Sequence, residues 1–286
     1  MWVLLSGCFL WPFGDHDDSE FGAPIPPGEP SPGGHWEEPL WCSNLADLSG
    51  VESAHTDIRS TAVAISELRY PPATGFIDAQ TDEELSIWIS GDDYDDVLDG
   101  YEVAVHEGCH IWGFGSFGFG SYSYRIVDDD HIIETAWPDT FSRSAILDRH
   151  PDAEGDFYSD VYLTGASGDQ GFHTLLDEFN AYTHSLASRM CTRDTLGGAS
   201  TSARDGILTM MAYVGTYLAI AREEHPDDYD EIVGDAPTVQ VILDVWDRAE
   251  FWLAQTESMP ELGIDDDAIA TWTYDPAVTG EIDRLR

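Results

Sequence analysis

His106-Glu107-Gly108-Cys109-His110 sets two imidazoles four residues apart, with a carboxylate next to the first. On a helix, residues i and i+4 share a face, so both rings can reach one metal ion. Glu107 then stands close enough to act on a water held at that ion, and this is the chemistry by which zinc hydrolyses an amide bond. The flanks favour burial: Val103, Ala104 and Val105 precede the motif, and Ile111 and Trp112 follow it. Asp99-Gly100-Tyr101-Glu102 has the form of a capping box, and Gly113 is a natural stop, which predicts a helix of about three turns centred on the motif. The competing reading is a core helix whose two histidines are satisfied by their neighbours.

The uncharged surroundings of His106-Glu107-Gly108-Cys109-His110 resemble the extended motif of the zincin metallopeptidases. A zinc enzyme of that kind needs a third protein ligand and keeps a fourth position open. The metzincin continuation, a third histidine a few residues on, is absent, because Gly113-Phe-Gly-Ser-Phe-Gly-Phe-Gly120 follows. The resemblance is therefore to the gluzincins, which implies a carboxylate ligand from a second helix. Residues 172–186 supply the best segment: Leu175, Phe179, Tyr182 and Leu186 form one apolar stripe at 100° per residue. Glu178 lies at the edge of that stripe, where a buried carboxylate needs a partner such as zinc. Asp177, His173 and His184 fall on the opposite side; His184 is the reserve ligand, and an ordinary solvated helix face is the alternative for it and His173.

The implied roles follow. His106, His110 and Glu178 hold Zn2+, and Glu107 is the general base that moves the proton of the attacking water to the leaving amine. Tyr182 and Tyr213 are the candidates for an oxyanion donor, each with packing as its alternative role. The implied substrate is a peptide or protein. The implied fold is α+β and zincin-like: a small mixed sheet with an edge strand beside the motif helix, then a mostly helical C-terminal part. Glu84-Leu-Ser-Ile-Trp-Ile-Ser90 alternates and is expected to be that edge strand, where an extended peptide can add as a further strand.

The amino terminus carries a second resemblance. Leu5-Ser6-Gly7-Cys8 is similar to a bacterial lipobox, which implies lipidation of Cys8 and a lipid-anchored location in the cell envelope. The apolar stretch before it is short and lacks a basic lead, so the working start is expected upstream. Residues 9–41, rich in Pro, Gly and acids, are expected to be a solvated tether. The catalytic unit is then 42–286, with an α+β part over 42–172 and a helical part over 173–286.

Composition narrows the partners. The 286 residues carry 55 acids against 12 basic residues, all arginine, for a formal charge of −43. That balance disfavours nucleic acid and anionic lipid surfaces and resembles salt-adapted proteins. With Cys8 assigned to lipid, Cys42, Cys109 and Cys191 remain. Cys109 is expected to pack away from the metal, and a Cys42–Cys191 bridge is one possible pairing.

Elsewhere helices are expected over 56–70, 207–222 and 239–255, with a hairpin from Tyr124–Val127 and His131–Trp137. Asp92-Asp-Tyr-Asp-Asp96 and Asp152 to Asp160 are expected to be acidic loops, and residues 264–286 irregular. The alternative function is a non-catalytic zinc-binding or interaction lipoprotein of the cell surface; an intact Glu107 favours the enzyme.

Overall fold

A computed structural model describes residues 36–42, 45–115, 121–151 and 153–286. Cys8, residues 9–35 of the expected tether and residues 116–120 of the Gly/Phe segment lie outside the described residues.

The chain enters the fold through α1 (Ser49–Ala54) and α2 (Ile58–Arg69). The Asp57 carboxylate accepts from the Ser60 N–H and so caps α2. After α3 (Thr74–Ala79) comes α4 (Asp82–Trp88), where the edge strand was expected. Two local causes override the alternation. Thr81 and Glu84 close a reciprocal capping box, and Leu85 and Ile89, four apart, are buried while Ile87 is exposed. The period is helical, so no peptide can add to a strand at this place.

The motif helix α5 (Tyr94–Gly115) has 22 residues and is about 33 Å long. Its cap is not Asp99. The Asp93 carboxylate accepts from Asp96 N–H and the Asp96 carboxylate from Asp93 N–H, so the acidic run 92–96 starts the helix nearly two turns earlier. Gly113 does not end it either. A Cβ there would lie 2.1 Å from the Tyr122 hydroxyl oxygen, so this glycine admits Tyr122. Gly108, inside the motif, is fixed by close approach as well: a Cβ would lie 2.5 Å from the Phe76 carbonyl oxygen of α3.

The sheet is an antiparallel hairpin of β1 (Ser121–Arg125) and β2 (Ile132–Ala136), paired from Ser121 with Ala136 to Arg125 with Ile132. It lies a few residues ahead of the expected first strand, and β1 packs on α5. Two short helices, α6 (Phe157–Tyr162) and α7 (Gly165–Gly168), follow. The Asp156 carboxylate caps α6, so the second acidic run is also partly a helix start.

The remaining helices are α8 (Phe172–Thr192), α9 (Ala203–Glu224), α10 (Pro226–Gly234), α11 (Ala236–Gln255), α12 (Asp266–Thr273) and α13 (Pro276–Leu285). The last two correct the irregular C terminus. Asp275 caps α13, Pro276 opens it, and Val278 and Ile282 turn inward. A small sheet beside the motif helix and a largely helical body match the expected zincin-like α+β arrangement. Among the described residues no helix is long and apolar enough to cross a membrane.

α8 is the centre of the molecule, packed by α5, α9 and α11. It has no solvated face: His173, Asp177 and His184, placed opposite the apolar stripe, are all buried. Serine and threonine hydroxyls donate back along the helix, Thr183 to Asn180 O and Ser188 to Ser185 O. A Cys42–Cys191 disulfide ties the C-terminal end of α8 to the entry of the chain, closing a sequence separation of 149 residues.

Residues 36–41 also lie against this body. Trp36 stacks on His131, and Glu38 forms an ion pair with Arg248 of α11 in which both side chains are essentially inaccessible.

Candidate metal centre

α5 presents His106 and His110 one turn apart, and α8 brings Glu178 against them. The two Nε2 atoms are 3.2 Å apart, and Glu178 Oε2 stands 3.3 Å from His106 Nε2 and 3.4 Å from His110 Nε2. This is a nearly equilateral triangle. A tetrahedral zinc with bonds of about 2.0–2.1 Å has donor–donor edges of about 3.3–3.4 Å. The three donors thus carry the spacing of one face of a zinc tetrahedron.

The backs of the rings fix which nitrogen faces inward. Ser185 Oγ donates to Ala181 O, so at 3.0 Å from His106 Nδ1 it accepts that nitrogen's proton. Asp177 Oδ2 accepts from His110 Nδ1 at 2.7 Å. Both Nε2 atoms therefore turn lone pairs towards each other and towards Glu178 Oε2, a buried atom with no hydrogen-bond partner. Three converging acceptors in a site only 4–7% exposed repel one another unless a positive charge sits between them. The donor set, two imidazole nitrogens and one carboxylate oxygen, fits zinc with its fourth position open.

Electrostatics show the same demand. Burial by itself lowers the pKa of His110, but the carboxylates of Asp177 and Glu178 outweigh it and hold the pKa well above the ordinary value of 6.5. Burial raises the pKa of Glu178, and His110 and His106 reverse this and keep it ionised far below the usual carboxylate range. Without metal, a proton on His110 supplies the positive charge. Zinc must displace it, so affinity falls as pH drops below the raised His110 pKa and levels off above it. Calorimetry in buffers of different ionisation enthalpy is expected to show that proton released on zinc binding. Binding with no proton release and no pH dependence contradicts this reading.

Asp177 is the orienting carboxylate that the acid-rich sequence could not single out. It accepts from His110 Nδ1 and from the Tyr122 hydroxyl, which reaches it past Gly113. Carboxylate–histidine–metal chains of this kind fix ring orientation and raise ligand basicity. Asp177→Asn is expected to weaken zinc binding about 10- to 100-fold, measured by competition with a chelator. Unchanged affinity would show that Tyr122 and packing alone hold the ring. Ser185 was legible in principle, since it lies seven residues after Glu178 and so on the same helical stripe.

The other candidates separate. Glu107 is buried beside His106 on α5. The Tyr182 ring packs edge-on against His106 with centroids 4.7 Å apart, and its hydroxyl meets Tyr162 Oη at 2.8 Å. Tyr213 is elsewhere: its hydroxyl pairs with Ser159 Oγ at 3.2 Å and its ring packs on His150 and Trp272. His184, the reserve ligand, has both nitrogens engaged. Nδ1 accepts from the Tyr70 hydroxyl at 2.7 Å, and Nε2 donates to Arg125 O at 2.9 Å. Burial, then Arg248, holds its pKa well below 6.5.

Cys109 faces away from the triad, as expected. Asn180 Nδ2 donates to its sulfur, and burial pushes its thiol pKa up to about 12. Comparison of the chain with protein-family models, with curated proteins and with solved structures finds no match.

Proposed function

We propose that the chain is a zinc-dependent peptidase in which Glu107 is the general base. The observation that carries this reading is the triangle of inward-facing acceptors, His106 Nε2, His110 Nε2 and Glu178 Oε2, with edges of 3.2–3.4 Å. Zinc held there supplies Lewis acidity to a scissile carbonyl and lowers the pKa of water.

The chain's own residues do the rest. His106, His110 and Glu178 hold the ion, while Ser185 and Asp177 keep the two rings aimed. Glu107, next to His106 in a site shielded from bulk water, accepts the proton of the attacking water and returns it to the leaving amine. Tyr182, packed on His106 with its hydroxyl on Tyr162, is the nearer of the two tyrosines to the triad and is the proposed oxyanion donor.

Zinc-loaded protein is expected to cleave casein, to lose cleavage on chelation, and to regain it when zinc is restored. Zinc bound without cleavage would leave a metal-binding protein and no peptidase.

We further propose, on the lipobox-like Leu5-Ser6-Gly7-Cys8, that the chain is lipid-anchored through Cys8 at the bacterial cell envelope. The Cys42–Cys191 disulfide supports an oxidising compartment. Labelling of expressing cells with a radioactive fatty acid tests the anchor: wild type takes up label and Cys8→Ala does not. Equal labelling of both, or of neither, refutes it.

A further inference from the structure

Five arginines of the described residues are buried: Arg69, Arg125, Arg143, Arg189 and Arg248. Four have a carboxylate in ion-pair contact, respectively Asp194, Asp129, Glu102 and Glu38 for Arg69, Arg125, Arg189 and Arg248. Arg143 has none among the described residues, although it is completely inaccessible. In a chain with 55 acids and 12 arginines, a counter-ion is easily found, and a buried cation without one is costly.

The guanidinium is held firmly on two of its nitrogens. Nε donates to Tyr162 O at 2.8 Å and Ser167 O at 2.9 Å, and Nη2 donates to Ser167 Oγ. Nη1 has no acceptor among the described residues. The orientation is thus fixed by neutral partners, while the buried Nη1 N–H pair is left without one.

Its position relates it to the metal centre. The guanidinium carbon sits 5.5 Å from the centroid of the Tyr162 ring, over its face. The Tyr162 hydroxyl meets that of Tyr182, whose ring packs on His106. Burial lowers the pKa of Arg143, and the carboxylate whose charge most opposes this is Glu178 itself.

We propose that Arg143 is the receptor for a carboxylate of the substrate, held beside the metal centre on the Tyr162–Tyr182 side. The proposal rests on the peptidase reading and gives it a substrate class: peptides that present a carboxylate close to the scissile bond. Two peptide groups have this chemistry, the C-terminal α-carboxylate and the side chain of Asp or Glu. Either supplies the missing counter-ion with a charge-assisted hydrogen bond to Nη1.

The test is calorimetric titration of the full chain carrying Glu107→Gln, so that binding is read without turnover. The probes are N-acetyl-glycyl-phenylalanine, its C-terminal amide, and the C-terminal amide of N-acetyl-glycyl-glutamate. One of the two carboxylates is expected to bind at least about tenfold more tightly than the neutral amide, and which one does so identifies the source. The preference is expected to persist in the metal-free protein, which separates capture by Arg143 from capture by zinc. It is expected to fall below about threefold when Arg143→Met is added, and to be partly kept by Arg143→Lys.

Equal binding of all three probes overturns the proposal, and so does a preference that Arg143→Met leaves intact. The comparison of probes on the parent protein decides the matter even if Arg143→Met does not fold. Carboxylate selectivity in a wild-type protein that cleaves no peptide would sink the peptidase reading and leave the receptor standing. Cleavage without selectivity would do the reverse.

Discussion

Glu107→Gln lowers peptide cleavage by about 10²- to 10⁴-fold while zinc stays bound. The two side chains have the same shape, so the helix and its buried surroundings are kept. Glu107 is not a corner of the metal triangle, which is closed by His106, His110 and Glu178. What glutamine removes is the ability to accept a proton from water and to hand it to an amine. The fall should therefore appear in kcat, with KM and zinc content little changed. Steady-state kinetics on a fluorogenic peptide, with metal content measured on the same samples, checks this. Cleavage within tenfold of wild type would assign the base to another group. Zinc lost together with activity would make Glu107 a structural residue.

Glu38→Ala is expected to cost about 3–5 kcal/mol of stability, because it strands a buried charge. Arg248 is completely inaccessible, and Glu38 is its one carboxylate among the described residues. The other groups it touches are the Tyr70 hydroxyl at 2.8 Å, Thr183 Oγ1 at 3.0 Å and His184 Nε2 at 3.2 Å. All are neutral partners, because His184 is held uncharged by burial and by Arg248 itself.

Thr183 and His184 lie on α8, between Glu178 and the disulfide at Cys191, so the loss falls on the helix that carries the third ligand. Thermal unfolding should shift down by roughly 10 °C for a domain of this size. Adding Arg248→Met should recover much of the loss, since an apolar pair in place of a buried ion pair is often neutral. A Glu38→Ala protein within 1 kcal/mol of wild type would show that residues 36–41 are dispensable to the fold.

The metal centre was legible in the sequence because its chemistry is local. Two histidines four apart on an apolar helix need no knowledge of the fold, and Glu178 followed from a stripe on a second helix. Asp177 was hidden by the assumption that a helix has a wet side. α8 is enclosed by α5, α9 and α11, and its polar residues face protein in every direction. The strand expected over 84–90 failed for a different reason. Leu85, Ile87 and Ile89 satisfy a period of two, but the Thr81–Glu84 capping box and the burial of Leu85 and Ile89 alone select the helix.

The entry of the chain was misjudged because Glu38 has its partner more than two hundred residues away in Arg248. No pattern in a Pro- and acid-rich stretch announces such a pair. Arg143 is invisible in the same way, since its distinction is the lack of a carboxylate partner among the described residues. The caps of α5 and α6 are in plain view as acids, but in a chain so rich in acids they read as acidic loops, and Asp275 of α13 lies in a stretch that reads as irregular.

Zinc-edge X-ray absorption on the purified, zinc-loaded chain reads the ligand set at His106, His110 and Glu178 itself. One zinc per chain is expected, bound by two imidazole nitrogens and one carboxylate oxygen at about 2.0–2.2 Å with one further light atom. A shell containing sulfur, which Cys109 alone of the described cysteines is free to supply, or a protein that retains no zinc, would contradict it.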